Sequence, residues 1–211
     1  MSNFEEIAEA VIEGNVEKVG EIAQNLVDEG VKPSEIIKEG LVAGMDVVGS
    51  RFKNNEMFVP EVLISAKAMH AGMDVVKPLL TDDESSSAGI VVIGTVEGDL
   101  HDIGKNLVAM MLEGAGFEVV DLGVDLSAQA FVEAVKEHEA DVLGMSALLT
   151  TTMPAMQDTI EALEEAGIRE QVKIMVGGAP VTEDFANEIG ADAYAPDGSA
   201  STDLAREFVG E

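Results

Sequence analysis

The sequence predicts an α/β chain in two parts: an N-terminal bundle of four helices, then a five-stranded parallel sheet with helices on both faces. Three observations predict it. The first eighty residues carry only helical periodicity, punctuated by Gly and Pro where helices would end or begin. From residue 89 on, short β-rich apolar runs alternate with helical stretches five times, the pattern of a parallel sheet. Between the two lies "TDDESSSA" (81–88), polar, acidic and serine-rich, with the composition of a linker. The expected units are therefore 1–80, a linker at 81–88, and 89–211.

The elements follow in order. "NFEEIAEAVIEG" has apolar residues at helical spacing and stops at Gly14. "NVEKVGEIAQNLVDEG" starts at a candidate Asn15 cap and ends at Gly30. "KPSEIIKEGLVAGMDVVGSRF" has Pro33 in its first turn and Ser34 as a candidate cap, and "VPEVLISAKAMHAGMDVVKPLL" has Pro60 in its first turn. Four amphipathic helices with short connections predict an antiparallel bundle. The strands are expected at "GIVVIG" (89–94), "EVVDLG" (118–123), "DVLGMS" (141–146), "VKIMVGG" (172–178) and "ADAYA" (191–195). Helices are expected near 103–115, 127–138, 153–167, 181–189 and 200–209.

Composition narrows the function. The chain has 211 residues, no cysteine and a net charge of −29. Disulfides, thiolate metal sites and thiol nucleophiles are excluded. Nucleic-acid binding rests on cationic contacts to phosphate, so this charge argues against it. Residues 1–80 hold 14 Asp+Glu against 7 Lys+Arg, whereas the remaining residues hold 27 against 5. The excess in the second part fits solubility in a salty cytoplasm, or docking onto basic partner proteins. No apolar run approaches the roughly 18–20 residues of a membrane span. The first residues are acidic and amphipathic, unlike a signal peptide, so the expected location is cytoplasmic.

In a parallel α/β sheet, ligands bind beyond the C-terminal ends of the strands, where the strand order switches. The loop after the first strand, "GTVEGDLHDIGKN" (94–106), lies on that edge and holds one of the three histidines. Asp102 can cap the helix that follows, and Asp99 can shape a turn. A phosphate cradle is unlike this loop: it lacks the glycine patterns and sets Glu97, Asp99 and Asp102 where phosphates would sit. A receiver domain would need an aspartate at the end of the third strand, which here reads "GMSALLTTTM". A transition metal suits His101, with Asp99 taking the other ring N–H. His70 lies in the bundle and His138 near a helix end, so no second imidazole is at hand. The metal must then arrive already coordinated, as in a macrocycle with one open axial position.

Here the residues resemble a known family. Asp99-x-His101-x-x-Gly104 resembles the Asp-x-His-x-x-Gly signature of base-off, His-on cobalamin-binding domains. Ser146-x-Leu148 follows after 41 residues and Gly177-Gly178 after 28 more, in the family's order and on the expected strands. "MDVVGSRFKNNEMFVPEVLISAKAM" is similar to the helical cap of cobalamin-dependent methionine synthase and of small methyltransferase corrinoid proteins. Over its whole length the chain most resembles the stand-alone corrinoid proteins that serve methylamines, methanol, betaines or aryl methyl ethers in methanogens and acetogens.

The resemblance implies a helical cap over a Rossmann-like, flavodoxin-type domain at 89–211. It implies that cobalamin binds with His101 as the lower cobalt ligand, within a loop of Gly98, Asp99, Leu100, His101, Asp102, Ile103 and Gly104. It implies a slot for the detached nucleotide tail lined by Ser146, Leu148, Thr150, Gly177, Gly178 and Gly198. The ligand–carboxylate–hydroxyl relay of the family ends on a serine, and this sequence has Thr152 there. In the bundle, Phe58 is expected to shield the upper corrin face with Met57 and Val62; Met57 and Phe58 are expected to start the fourth helix. By the same resemblance the protein is a methyl carrier. Co(I) accepts a methyl group from a substrate-specific methyltransferase. A corrinoid:acceptor methyltransferase then passes it from methyl-Co(III) to a thiol or tetrahydrofolate/tetrahydropterin acceptor, and a reductive activation protein restores lapsed cobalt. Two alternatives belong to other classes: the small cobalamin-binding subunit of an adenosylcobalamin-dependent mutase, and a cobalamin-sensing regulator.

Overall fold

Apolar runs such as Ile90–Thr95 can be continuous only where both faces of a strand are covered, and in the computed structural model they are. The structure describes residues 3–80 and 87–210. The chain divides into two compact units, a helical unit of 1–87 with 113–116 and a sheet unit of 88–112 with 117–211. Residues 81–86 of the expected linker lie outside the described residues.

The helical unit has four rods. α1 (Asn3–Ile12) and α2 (Val16–Asp28) are the first two, and the Asn15 side chain caps α2 by accepting from Lys18 N at 3.1 Å. The third rod is composite: α3 (Pro33–Glu35), a π-helical stretch Ile36–Val42, and α4 (Ala43–Lys53). Ser34 is not its cap. Pro33 takes the first helical position and Lys32, which has no capping side-chain bond, precedes it. The π widening was not expected, and it brings Gly40 against α1, where a Cβ would stand 2.6 Å from Ile7 Cγ2. α5 (Val59–Val76) is the fourth rod; Met57 and Phe58 precede it rather than start it, Phe58 being its cap. The Phe58 N–H donates to Glu61 Oε2 at 2.8 Å, which fixes the helix start. Ile7, Val11, Val19, Leu26, Leu41, Val48 and Met69 fill the interior.

The sheet unit matches the expected alternation to within a few residues. Its strands are β1 (Ile90–Thr95), β2 (Glu118–Asp121), β3 (Val142–Ser146), β4 (Lys173–Gly177) and β5 (Ala193–Ala195). All pairs are parallel and the order is β2-β1-β3-β4-β5, the flavodoxin-type order. The helices are α6 (Ile103–Gly114), α7 (Ala128–His138), α8 (Pro154–Glu165), α9 (Glu183–Glu188) and α10 (Gly198–Val209). Right-handed crossovers place α6 on one face and α7 and α8 on the other, because the order reverses at β1. Phe131, Val135, Met156, Ile160 and Leu163 pack with Leu143, Ile174 and Val176 on the α7–α8 face. On the other, Met111 of α6 lies so close to Gly198 that a Cβ there would stand 2.5 Å from its sulfur. Among the described residues no helix is long and apolar enough to cross a membrane.

Candidate functional site

The strand order reverses between β1 and β3, so their C-terminal ends frame the crevice where such sheets bind ligands. The loop Val96–Asp102 leaves β1 there and the segment Ala147–Met153 leaves β3. The first opens with a β-turn closed by Asp99 N donating to Val96 O at 3.1 Å. Gly98 is third in that turn with φ +79°, a backbone that favours glycine.

Asp99 is fully buried, and its two oxygens divide the work. Oδ1 accepts from the His101 ring Nδ1 at 2.7 Å and from the His101 backbone N at 3.1 Å. Oδ2 accepts from Leu148 N at 2.8 Å, Leu149 N at 3.2 Å and Thr152 Oγ1 at 2.8 Å. Burial by itself would push the Asp99 carboxyl up. The bonds from His101, Leu148 and Thr152 outweigh it and hold the group well below the usual carboxylate range. An ionised carboxylate only accepts, so Nδ1 carries a proton, and Nε2 is the ring nitrogen left to offer a lone pair. The His101 side chain is 51% exposed, and its backbone carbonyl accepts from the buried Thr95 hydroxyl at 2.9 Å. The ring is thus aimed by its own backbone and by one buried charge. Thr152, expected at the end of the relay, is in direct contact with Asp99.

The surroundings are apolar and open. Leu100 is 70% and Ile103 81% exposed, and Leu148 and Leu149 are exposed as well. An apolar rim around one imidazole suits a flat, largely apolar ligand. Among the described residues no three His, Cys, Asp or Glu side chains gather into a metal site, so His101 would be a metal's sole protein ligand. Gly104 supports the same reading. It is the second residue of α6, where Ala would be favoured, and an added Cβ would meet nothing within 4 Å. The protein itself does not require glycine there, and a group lying against the backbone would. The Ser146 hydroxyl and the exposed Thr150 lie on the same edge.

The other glycines answer to the protein's own packing. At Gly178 φ is +126° and a Cβ would stand 1.9 Å from Ala147 O; at Gly177 it would stand 2.8 Å from Ala195 O. With Gly198 against Met111, all three allow close backbone approach within the sheet unit. Asp102 precedes α6, its carbonyl accepting from Asn106 N at 2.7 Å and its carboxylate from Asn106 Nδ2 at 3.2 Å. In the helical unit Val62 is fully buried and Met57 nearly so, whereas Phe58 is 65% exposed. Sequence reasoning missed the Leu148 and Leu149 amides, which have no side-chain signal, and Lys105. Lys105 is buried with its Nζ on Asn106 Oδ1 at 2.6 Å and Asp121 Oδ2 at 2.5 Å. Its place in "GKN" after the histidine loop was the available signal.

Fold and site define a class: a doubly wound α/β protein with one carboxylate-backed imidazole at the carboxyl edge of its sheet. Comparison with known proteins narrows it. Two models, each described as a B12 binding domain, match residues 89–204 and 4–77. Dimethylamine corrinoid protein 1 of Methanosarcina acetivorans is 47% identical, with 98% of this chain and 97% of its own length covered. Trimethylamine corrinoid protein 1 of Methanosarcina mazei is 48% identical over 97% of this chain and 96% of its own. In the crystal structure of the methanol:cobalamin methyltransferase complex MtaBC from Methanosarcina barkeri, one chain aligns with a TM-score of 0.90 at 33% identity, covering 99% of this chain and 80% of that one. The chain belongs to the methyltransferase corrinoid proteins with B12 binding domains.

Proposed function

We propose that this chain is a corrinoid methyl carrier of a methylamine methyltransferase system. The observation that carries the reading is the His101–Asp99 pair, with Nδ1 held at 2.7 Å by a buried carboxylate that three further donors fix from the β3 side. Bound there, a corrinoid supplies a cobalt that can take up and give up a methyl group. The chain's own residues do the rest. His101 offers Nε2, Asp99 keeps the proton on Nδ1, and Thr152 with Leu148 N and Leu149 N keeps Asp99 ionised and oriented. Leu100 and Ile103 present apolar surface to the ring, and Gly104 leaves room beside it. Ser146, Leu148, Thr150, Gly177, Gly178 and Gly198 are the proposed lining of the tail slot. Phe58 is the proposed shield from the helical unit. Met57 and Val62 are proposed to share that shield.

Identity to dimethylamine and trimethylamine corrinoid proteins, at 47% and 48%, exceeds the 33% to the methanol system, which favours a methylamine donor. The partner that loads the methyl group is a substrate-specific methyltransferase. A corrinoid:acceptor methyltransferase and a reductive activation protein complete the proposed cycle. The mutase and regulator readings are not favoured, because the relatives matched over nearly the whole chain are named as methylamine corrinoid proteins.

The test is ligation. The protein reconstituted with cobalamin and reduced to Co(II) is expected to show nitrogen splitting in its electron paramagnetic resonance spectrum that changes when histidine is labelled with nitrogen-15. His101→Ala is expected to fold normally and lose that splitting. Splitting that persists in His101→Ala would overturn the assignment.

A further inference from the structure

Three non-glycine residues among those described have left-handed backbones: Asn55, Asp125 and Glu139. Glu139 caps the end of α7 and Asn55 follows the cap of α4, where this conformation is common. Asp125 ends no helix. It lies between β2 and α7 with φ +56°, and its contacts point one way. Its Oδ1 accepts from Gly98 N at 2.7 Å, and its own N–H donates to Asp99 O at 3.0 Å. The two bonds clasp the Gly98–Asp99 segment at its two ends, the Gly98 amide and the Asp99 carbonyl.

We propose that Asp125 is a positioning residue for the imidazole ligand, setting the aim of His101 by clamping the backbone of Gly98 and Asp99. Asp99 is then gripped from two loops. The β3 loop holds its carboxylate through Leu148 N, Leu149 N and Thr152, and the β2 loop holds its main chain through Asp125. The β2 loop is itself tied down. Thr95 N donates to Gly123 O at 3.0 Å, Leu126 N donates to Thr95 O at 3.2 Å, and Gly123 N donates to Asp121 Oδ1 at 2.9 Å. Asp121 in turn pairs with the buried Lys105. A carboxylate held only through its side chain could pivot about its own backbone and carry the imidazole with it. The clasp removes that freedom, and the left-handed turn at Asp125 is what turns both its N–H and its carboxylate toward the same two residues. Aspartate is among the side chains that tolerate that backbone.

This inference rests on the carrier reading, and its test separates the two. Asp125→Gly keeps the left-handed backbone but removes the acceptor; Asp125→Asn keeps both. The first readout uses the full chain without cofactor: nitrogen-15 shifts of the His101 ring report the fraction with the proton on Nδ1. The second is the affinity for cobinamide, a corrinoid that lacks the nucleotide tail, so that the tail slot cannot mask a ligand defect. Asp125→Gly is expected to lower the Nδ1–H fraction and to weaken cobinamide ligation about tenfold, the low end for a partner acting behind a ligand. Asp125→Asn is expected to behave as wild type in both. Matching thermal transitions exclude a general loss of fold. Wild-type behaviour in Asp125→Gly, or a defect in Asp125→Asn as large as in Asp125→Gly, overturns the proposal. If the wild-type protein itself fails to ligate cobinamide through nitrogen, the carrier reading fails, and the cofactor-free spectra still decide the role of Asp125.

Discussion

Two aspartates at opposite ends of the same sheet make a useful pair. Asp99 lies beyond the carboxyl ends of the strands, Asp192 at the amino end of β5. Each collects donors from more than one segment, and each has its carboxyl held below the ordinary range. Their donors differ. Asp192 accepts from Arg169 Nη2 at 2.9 Å, Lys173 Nζ at 3.1 Å and Ile174 N at 2.8 Å, so two cations neutralise it and it staples β4 to β5. Asp99 has no lysine or arginine. Amides, one hydroxyl and one imidazole hold it, and part of its charge remains to act on His101. The same residue type is a strand fastener where cations meet it and a tuning group where they do not. Asp141 extends the first role, accepting from Ile90 N at 2.8 Å on the amino edge.

Replacing each aspartate by alanine tests the contrast most strongly. Asp99→Ala strands the Leu148 and Leu149 amides and the Thr152 hydroxyl, and is expected to cost roughly 2–4 kcal/mol in urea unfolding. It should also weaken imidazole ligation about 10–100-fold. Asp192→Ala is expected to cost about 1–2 kcal/mol and leave ligation unchanged. Equal loss of ligation in both variants would remove the distinction.

The glycines sharpen it next, since the fold itself requires some on the carboxyl edge and not others. Gly178→Ala drives a Cβ into Ala147 O and needs a backbone that alanine avoids, so the cofactor-free protein is expected to lose about 2–3 kcal/mol. Gly104→Ala meets open space and is expected to leave that protein unchanged or more stable by up to about 1 kcal/mol. Its effect should appear only as weaker corrinoid binding. Calorimetric unfolding with and without cobalamin separates the two; a destabilised cofactor-free Gly104→Ala would contradict the ligand-clearance reading.

Acid probes both carboxylates. Each is depressed in the folded state, so its stabilisation is complete above the unfolded pKa near 3.9 and lost as pH falls through the lower folded value. For Asp192, burial opposes ionisation, and the bonds from Ile174, Lys173 and Arg169 overcome it. The stability gap between wild type and Asp192→Asn is expected to shrink below about pH 4, and the gap for Asp99→Asn to persist further into acid. Denaturant midpoints between pH 5 and pH 2 decide this, and gaps that do not change with pH would deny the ionic contribution. The smallest expected effect is at Thr152. Thr152→Ser should be within about 0.5 kcal/mol of wild type, and Thr152→Val should cost about 1–2 kcal/mol by removing a donor from a buried anion.

Much of this was legible in the residues. The five strands follow from short β-rich runs, the cap at Asn15 from residue type, and the His101–Asp99 pair from two residues on one turn. The third helical rod was legible as a helix but not as a π-widened one, because both share the same spacing of apolar residues to within a turn. Ser34 looked like a cap only until Pro33 took the first helical position. Met57, Phe58 and Val62 fit a shielding surface by spacing, and their exposures differ: Met57 and Val62 are buried and Phe58 is exposed.

By itself the sequence determined the two-part architecture, the parallel sheet and the lone imidazole with its carboxylate, because periodicity, turn residues and local spacing act over a few residues. Tertiary structure decided what makes the pair function. The Leu148 and Leu149 amides, the Thr152 hydroxyl and the Asp125 clasp come from loops 26 to 53 residues away in the chain and converge only because β1 pairs with both β2 and β3. Backbone donors and a left-handed turn leave no mark in residue type, so that convergence becomes visible only once the chain is folded.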